Sequence, residues 1–502
     1  MRRGNPRELS GMSMAIGLVL VVSAGPAVGQ VSQGRLIDAV KRQDVTAIEA
    51  LLRDGAEVNE AQGDGATVLH WAVYLDDAPT VRALLASGAR VGVTNDLGVT
   101  PLWLACNNGS ATLVSVLLGA GANPNAALPS GETPLMTASR TGNADAVRAL
   151  LAYDADVSAK ETSHGQTALM WAVAQRHSAV VAALLGHGAS VRDRSKAYPQ
   201  VISSSGNADR SGVYEIDQGG YTPLLFAARH GDLASARLLV AAGADVGDVA
   251  AMGTSALVVA AHSGHGAVAE FLLEQGADPS AAGAGYTALH AAVLRGEVAL
   301  VDALLTNGAD PDPSLIRGTP ARRVSADWGL PHSMIGATPL WLAARFREPK
   351  IMRALTEHGA NPLTVVGGTT AVMAALQGGT TRGRFGITSV DAGEERRRTV
   401  DAVTLALDAG ADVNGQRENG DTALHVAATR RLDDVIELLV ARGATLDVRN
   451  ASGQTALGLA MSGPQGTAAL YTPGGGSSST VSLLRGLGAT DEGSRPDSDD
   501  AR

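Results

Sequence analysis

Eleven histidines and a single cysteine are the side chains best able to support acid–base, nucleophilic or metal chemistry in this 502-residue chain. His262-Ser263-Gly264-His265 has a two-residue gap of the kind some metal sites use. Gly264 breaks the helix between the two rings, however, and no cysteine or third histidine lies near. The lone Cys106 excludes an intramolecular disulfide framework and a cysteine-based zinc site. It falls on a small apolar position and reads as an inert buried thiol. No Gly-x-Ser-x-Gly elbow, phosphate-binding loop ending in Gly-Lys, or His-Glu-x-x-His helix occurs. Isolated strings such as Gly283-Ala284-Gly285 sit in turns, with no strand–helix dinucleotide unit around them. The reading assigns no catalytic residue, no metal site and no cofactor, and expects a protein that is not an enzyme.

Seven of the eleven histidines recur at fixed places, which points to the elements that hold them. His70, His290 and His425 end the string Thr-x-Leu-His, His177 and His265 come early in a second helix, and His187 and His358 precede a Gly-Ala pair. A Thr or Ser, one residue and then Leu or Val opens a small apolar run at Thr67, Thr100, Thr133, Thr167, Thr222, Ser255, Thr287, Thr338, Thr370, Thr422 and Thr455. The steps are 33, 33, 34, 55, 33, 32, 51, 32, 52 and 33 residues. Leu36-Ile37-Asp38-Ala39-Val40 marks one earlier unit, making twelve. A Gly-Ala pair closes each unit, with Asp154-Ala155 once in its place. The distance from the opening Thr or Ser is 21 residues in nine of the eleven units so marked.

Each unit can be read physically. The Thr and Ser residues are helix N-caps. Pro101, Pro134, Pro223 and Pro339 follow at the first helical position, where a missing N–H costs nothing. A helix of about two turns should end near Gly109, Gly142, Gly231, Gly264 or Gly296. A second helix carries a Leu-Leu pair, as in Val81–Leu85, and stops at a glycine such as Gly88 that supplies the left-handed conformation. The following 11 or 12 residues, rich in Asn, Asp and Gly, form a hairpin-like turn to the next cap.

Gly-x-Thr-Pro-Leu-x-x-Ala, then Leu-Leu, then Gly-Ala-Asp, at this period, resembles the ankyrin repeat over residues 34–489. Thr287–His290 and Thr422–His425 come nearest the family pattern. Trp103 and Trp341 stand where the family has His, and Val372 where it has Leu. The resemblance implies an all-α solenoid of about twelve stacked helix-turn-helix units with hairpin-like loops and one continuous core. It also implies histidines that hydrogen-bond between neighbouring units, and a concave face, lined by hairpins and first helices, where proteins bind. Helices packed about 8–10 Å apart would make a curved rod of roughly 100 Å.

Composition agrees with this and excludes other classes. Apolar residues make up 45% and aromatics only 3%, which suits short helices packed closely. The net charge of −10 gives no basic face for nucleic acid. Arg2, Arg3 and Arg7, the apolar run Ala15–Ala24 and Ala27-Val28-Gly29 form the pattern of a secretory signal peptide over residues 1–29. The run is about half the length of a membrane span. Removal of that leader leaves 37 basic against 49 acidic residues, a charge of −12. The short signal and Ala/Gly-rich usage point to a bacterial protein, exported to the periplasm or secreted. The solenoid then fills residues 30–489, and residues 490–502 form an acidic, disordered tail.

Four insertions interrupt the period. Two, near 190–219 and 310–335, fall between units in the hairpin region. Two, near 377–395 and 462–479, fall between the helices of one unit. The first pair holds Tyr198, Tyr214, Ile216, Trp328 and Met334, a composition suited to partner contact, while Pro473–Ser479 is flexible linker.

Nine of the sixteen aromatics lie in first helices or hairpins, where a concave surface would use them as anchors. Trp103 and Trp341 are expected to pack between units instead. Seven or eight residues after each cap the chain carries Lys41, Arg42, Arg140, Arg229, His230, His262, Arg295, Arg345 and Arg430, and no acid. A basic strip within an acidic molecule suits an anionic or mixed partner. The expected partner-binding residues are Trp71, Tyr74, Arg140, Trp171, Tyr221, Arg229, His230, His262, Tyr286, Arg295, Arg345 and Phe346. The expected function is a monomeric, non-catalytic scaffold that binds another protein, without nucleic acid and without a membrane span. The alternative is an inhibitor or protective partner of an envelope enzyme, acting through an insertion loop.

Overall fold

From unit two onward a hydroxyl turns back onto the orphan N–H groups of a short helix, whereas unit one opens at Gly34. Thr100 Oγ1 accepts from Trp103 N at 3.1 Å, and Thr133, Thr167, Thr222, Ser255 and Thr338 repeat the bond to the third residue of their helices. The helix that follows runs only seven or eight residues, as in Pro101–Asn107 or Pro223–His230. It ends on a left-handed residue: glycine at Gly142, Gly231, Gly264 and Gly296, but Arg347 and Arg431 in units nine and eleven. A nine-residue second helix such as Ala111–Gly119 runs back and stops at a positive-φ glycine; in unit four Asp154 takes that conformation at φ 62°. The computed structural model describes residues 34–203, 213–319, 329–377, 391–462 and 478–490. Among these it shows 24 α-helices in twelve pairs.

Each first helix packs on the first helix of the next unit and on its own second helix, so the core is a ladder rather than a ball. Leu102, Leu135, Leu169, Leu224, Leu257 and Leu289, one per unit, are all fully buried along it. Backbone bonds tie hairpin tip to hairpin tip: Asp96 N to Asp64 O, Thr162 N to Ser130 O, Ala251 N to Gly219 O, and Ala451 N to Asn419 O, at 2.8–3.1 Å.

The insertions behave differently from one another. Within 190–219 the chain forms an antiparallel hairpin, β1 Ala197–Ser203 and β2 Val213–Gly219, with Ala197 opposite Gly219. Residues 310–319 and 329–335 fold back onto the stack. Leu315 N bonds Ala337 O and Thr319 N bonds Leu330 O, with Leu315, Leu330 and Met334 buried. In unit ten the expected loop at 377–395 ends early, because the second helix, Ala392–Asp408, is 17 residues long. Its added turns are held by Glu394 pairing with Arg397 and Arg398 at 2.8 Å, three and four residues on. Ser478 and Ser479, read as linker, begin the helix Ser478–Gly486. The expected leader, Trp328, most of the 377–395 and 462–479 segments, and the tail beyond Thr490 lie outside the described residues.

Candidate functional site

The first helices present aromatic side chains near their starts and cationic ones in their last turns, and the structure brings them together across neighbouring units. Lys41 Nζ lies 4.1 Å from the Trp71 ring, which meets Tyr74 edge-on at 5.9 Å and donates through Nε1 to Gln62 Oε1. The Arg140 guanidinium lies 5.9 Å from the Trp171 ring of the next unit. In unit six Tyr221 packs on Phe226, Phe226 stacks on His230, and Arg229 covers Tyr221 at 5.7 Å. His262 packs on Tyr286 at 5.9 Å, and Arg295 Nε donates to the His262 carbonyl. Arg345 and Phe346 end the first helix of unit nine, both half-buried.

Exposure separates these residues. Tyr74 (45% exposed) and Arg229 face solvent, whereas Tyr286 is 5% exposed and Phe226 is buried, so their rings serve the core. Trp103 and Trp341 are buried as well, the latter donating to Thr369 O at 2.9 Å in the next unit. Both pack between units, as their positions suggest.

Two members of the basic strip, Arg295 and Arg430, have a structural task that the offsets alone did not reveal. They sit where the last carbonyls of a neighbouring first helix lack intrahelical partners, and side chains of the adjacent unit satisfy such carbonyls. Asn108 donates to Val73 O, Thr141 to Cys106 O, Arg295 to His262 O, Arg347 to Ala375 O and Arg430 to Leu376 O. His177 and His265 bond Arg140 O and Arg229 O, with their rings lying against Gly142 and Gly231. The signal for this ladder is the run of donors eight or nine residues after each cap; Asn108, Thr141 and Arg347 were missed for want of charge or period.

Three further histidines are equally committed. In His70, His290 and His425, Nδ1 bonds the cap threonine, while Nε2 bonds Val99 O, Ala337 O and Gln454 O of the following unit. Burial holds the His290 imidazole down to about 4, well below the ordinary histidine value, and lowers His70 in the same way. His230 is lowered by burial first and by the Arg229 charge second. Burial pushes the Cys106 thiol far up, as an inert core sulfur requires. Among the described residues no three His, Cys, Asp or Glu side chains converge as metal ligands would. Nor is any described helix long and apolar enough to cross a membrane.

Twelve stacked helix pairs joined by hairpins, with capped threonines and inter-unit histidines, define a class of repeat protein. The sequence matches ankyrin repeats (3 copies) over residues 36–127, 103–195 and 224–314, ankyrin repeats (many copies) over 407–460, and the single ankyrin repeat over 335–365. These matches cover more than half of the chain, which belongs to the ankyrin repeat family. It is similar in structure to the human ASB11 ankyrin repeat domain, at 25% identity and a TM-score of 0.38, over 55% of this chain and 98% of that one. No curated protein matches it in sequence. Ankyrin repeats are protein–protein interaction modules, and proteins made of them are typically non-enzymatic scaffolds.

Proposed function

We propose that this chain is an exported, monomeric, non-catalytic scaffold that captures another protein on the face formed by its first helices. The observation that carries this reading is the series of cation–aromatic pairs at Lys41–Trp71, Arg140–Trp171 and Arg229–Tyr221, with Tyr74 and Arg229 left exposed beside them. Aromatic and arginine side chains of this kind supply most interface energy, and a rigid stack presents them at little entropic cost. Tyr74→Ala with Arg229→Glu tests it, because both side chains are exposed and their loss leaves the core intact. Crosslinking pull-down from an envelope fraction should lose the partner, about tenfold or more for two hot-spot residues, while the melting temperature stays put. Undiminished capture would count against that face.

A second reading, an inhibitor or protective partner of an envelope enzyme, draws on β1, where Tyr198 and Val201 are 47% and 68% exposed. Deleting residues 198–217 would then abolish inhibition while leaving binding in place. That cut spares Arg194, Ser195 and Lys196, which bond Val249 O, Tyr221 and His164 O. Export itself is supported by the basic, apolar and small-residue segments of residues 1–29. N-terminal sequencing of the protein recovered from the periplasm or medium should begin at Gln30. Recovery of the intact N-terminus from the cytoplasm would refute it.

A further inference from the structure

Units nine to eleven hold three arginines in one place. Arg345 ends the first helix of unit nine (Pro339–Phe346), Arg347 follows it in the left-handed cap, and Arg430 ends the first helix of unit eleven (Ala423–Arg430). Two of them have partners. Arg347 Nε donates to Ala375 O at 3.0 Å and Nη1 to Glu395 Oε1 at 2.5 Å, and Arg430 donates to Leu376 O. Arg345 is half-buried, forms neither hydrogen bond nor ion pair with any described residue, and has its Nη1 enclosed without an acceptor.

The local charge is unbalanced. Glu395 acts on Arg347 and Arg430, whereas the charge acting on Arg345 is that of Arg430. Burial, and then the neighbouring Arg430, lower the proton affinity of Arg345 below its ordinary value. A half-buried guanidinium without an acceptor destabilises the empty protein, and an oxyanion would remove that cost. Planar guanidinium forks match the paired oxygens of a phosphate or carboxylate.

We propose that Arg345, Arg347 and Arg430 form an oxyanion site spanning units nine to eleven, one that takes a phosphate or a carboxylate group. The site requires no partner protein, so it stands or falls separately from the proposed scaffold role. Its two sources are a free inorganic anion and the acidic side chains of a peptide segment.

The test uses the full chain, with inorganic phosphate and a capped tetraglutamate peptide as probes, against sodium chloride at equal ionic strength. Phosphate should raise the unfolding midpoint and release binding heat beyond chloride. Arg345→Gln should weaken that binding at least about tenfold, the equivalent of one charge-assisted hydrogen bond. The same variant should be no less stable than the native chain in anion-free buffer, because Arg345 gives up no bond. Arg140→Gln, in unit four, should bind phosphate like the native protein. A response to phosphate alone assigns a free anion, and a response to the peptide as well assigns side-chain carboxylates. Neither probe exceeding chloride, or Arg345→Gln responding like the native chain, would overturn the site. If Arg345→Gln failed to fold, the assumption that Arg345 is structurally idle would fall with it, and native-protein calorimetry without heat beyond chloride would then close the matter.

Discussion

His290 is fully buried between units eight and nine, with Nδ1 on Thr287 and Nε2 on Ala337 O, so a proton added there has no solvent to carry its charge. Its folded value of about 4 lies below the ordinary 6.5. The unfolded chain therefore binds the proton first as pH falls. Stability from this residue is complete above about 6.5, is lost as pH drops toward 4, and changes no further below that. At 1.36 kcal/mol per unit the whole step is roughly 3 kcal/mol. Urea unfolding between pH 7 and 4 should show that loss, and His290→Gln should flatten it; equal slopes would contradict the assignment. This histidine was legible from Thr-x-Leu-His alone. The carbonyl it reaches lies 47 residues on, against 29 for His70, and the difference equals the 18-residue insertion that the chain loops out between the two contacts.

The hairpin β1–β2 depends on a close approach at its base. A Cβ on Gly219, where φ is +89°, would lie 2.0 Å from the Lys196 carbonyl oxygen, so Gly219→Ala must open that junction. A cost of about 2–3 kcal/mol is expected from backbone strain of this kind. Hydrogen exchange should rise across Lys196–Val201 and stay unchanged in units one to four; unaltered protection of β1 would show the contact to be dispensable. Helices were readable at this scale because capping is local: the threonine, proline and glycine of each unit suffice. Strands were not. Pro199 interrupts the pattern of β1, and the pairing of Tyr198 with Gln218 is a contact across a loop that no local signal specifies. The 17-residue helix of unit ten was hidden by its position after an insertion, although Glu394, Arg397 and Arg398 carry helical spacing.

For the whole molecule, every unit is stabilised only by its neighbours, so the ends must be the weakest part. Among the described residues, unit twelve packs on unit eleven alone, through Ala456–Ser462 and Ser478–Gly486. Amides there should exchange at least about tenfold faster than those of Ala256–Ser263 in unit seven, a gap of local opening energy that interior stacking supplies. Uniform protection from end to end would mean that the stack unfolds as a single cooperative body. Period, caps, stops and hence the number of units are legible from local residues, because each of these is a transaction between positions a few residues apart. The sequence could not decide which offset faced solvent and which faced the next unit, since every inter-unit bond joins residues about thirty or more apart. Tertiary structure alone set Arg295 and Arg430 as carbonyl caps, withdrew Tyr286 into the core, and enclosed the Arg345 Nη1 without an acceptor. Stacking, not sequence neighbourhood, determines which donors meet an acceptor.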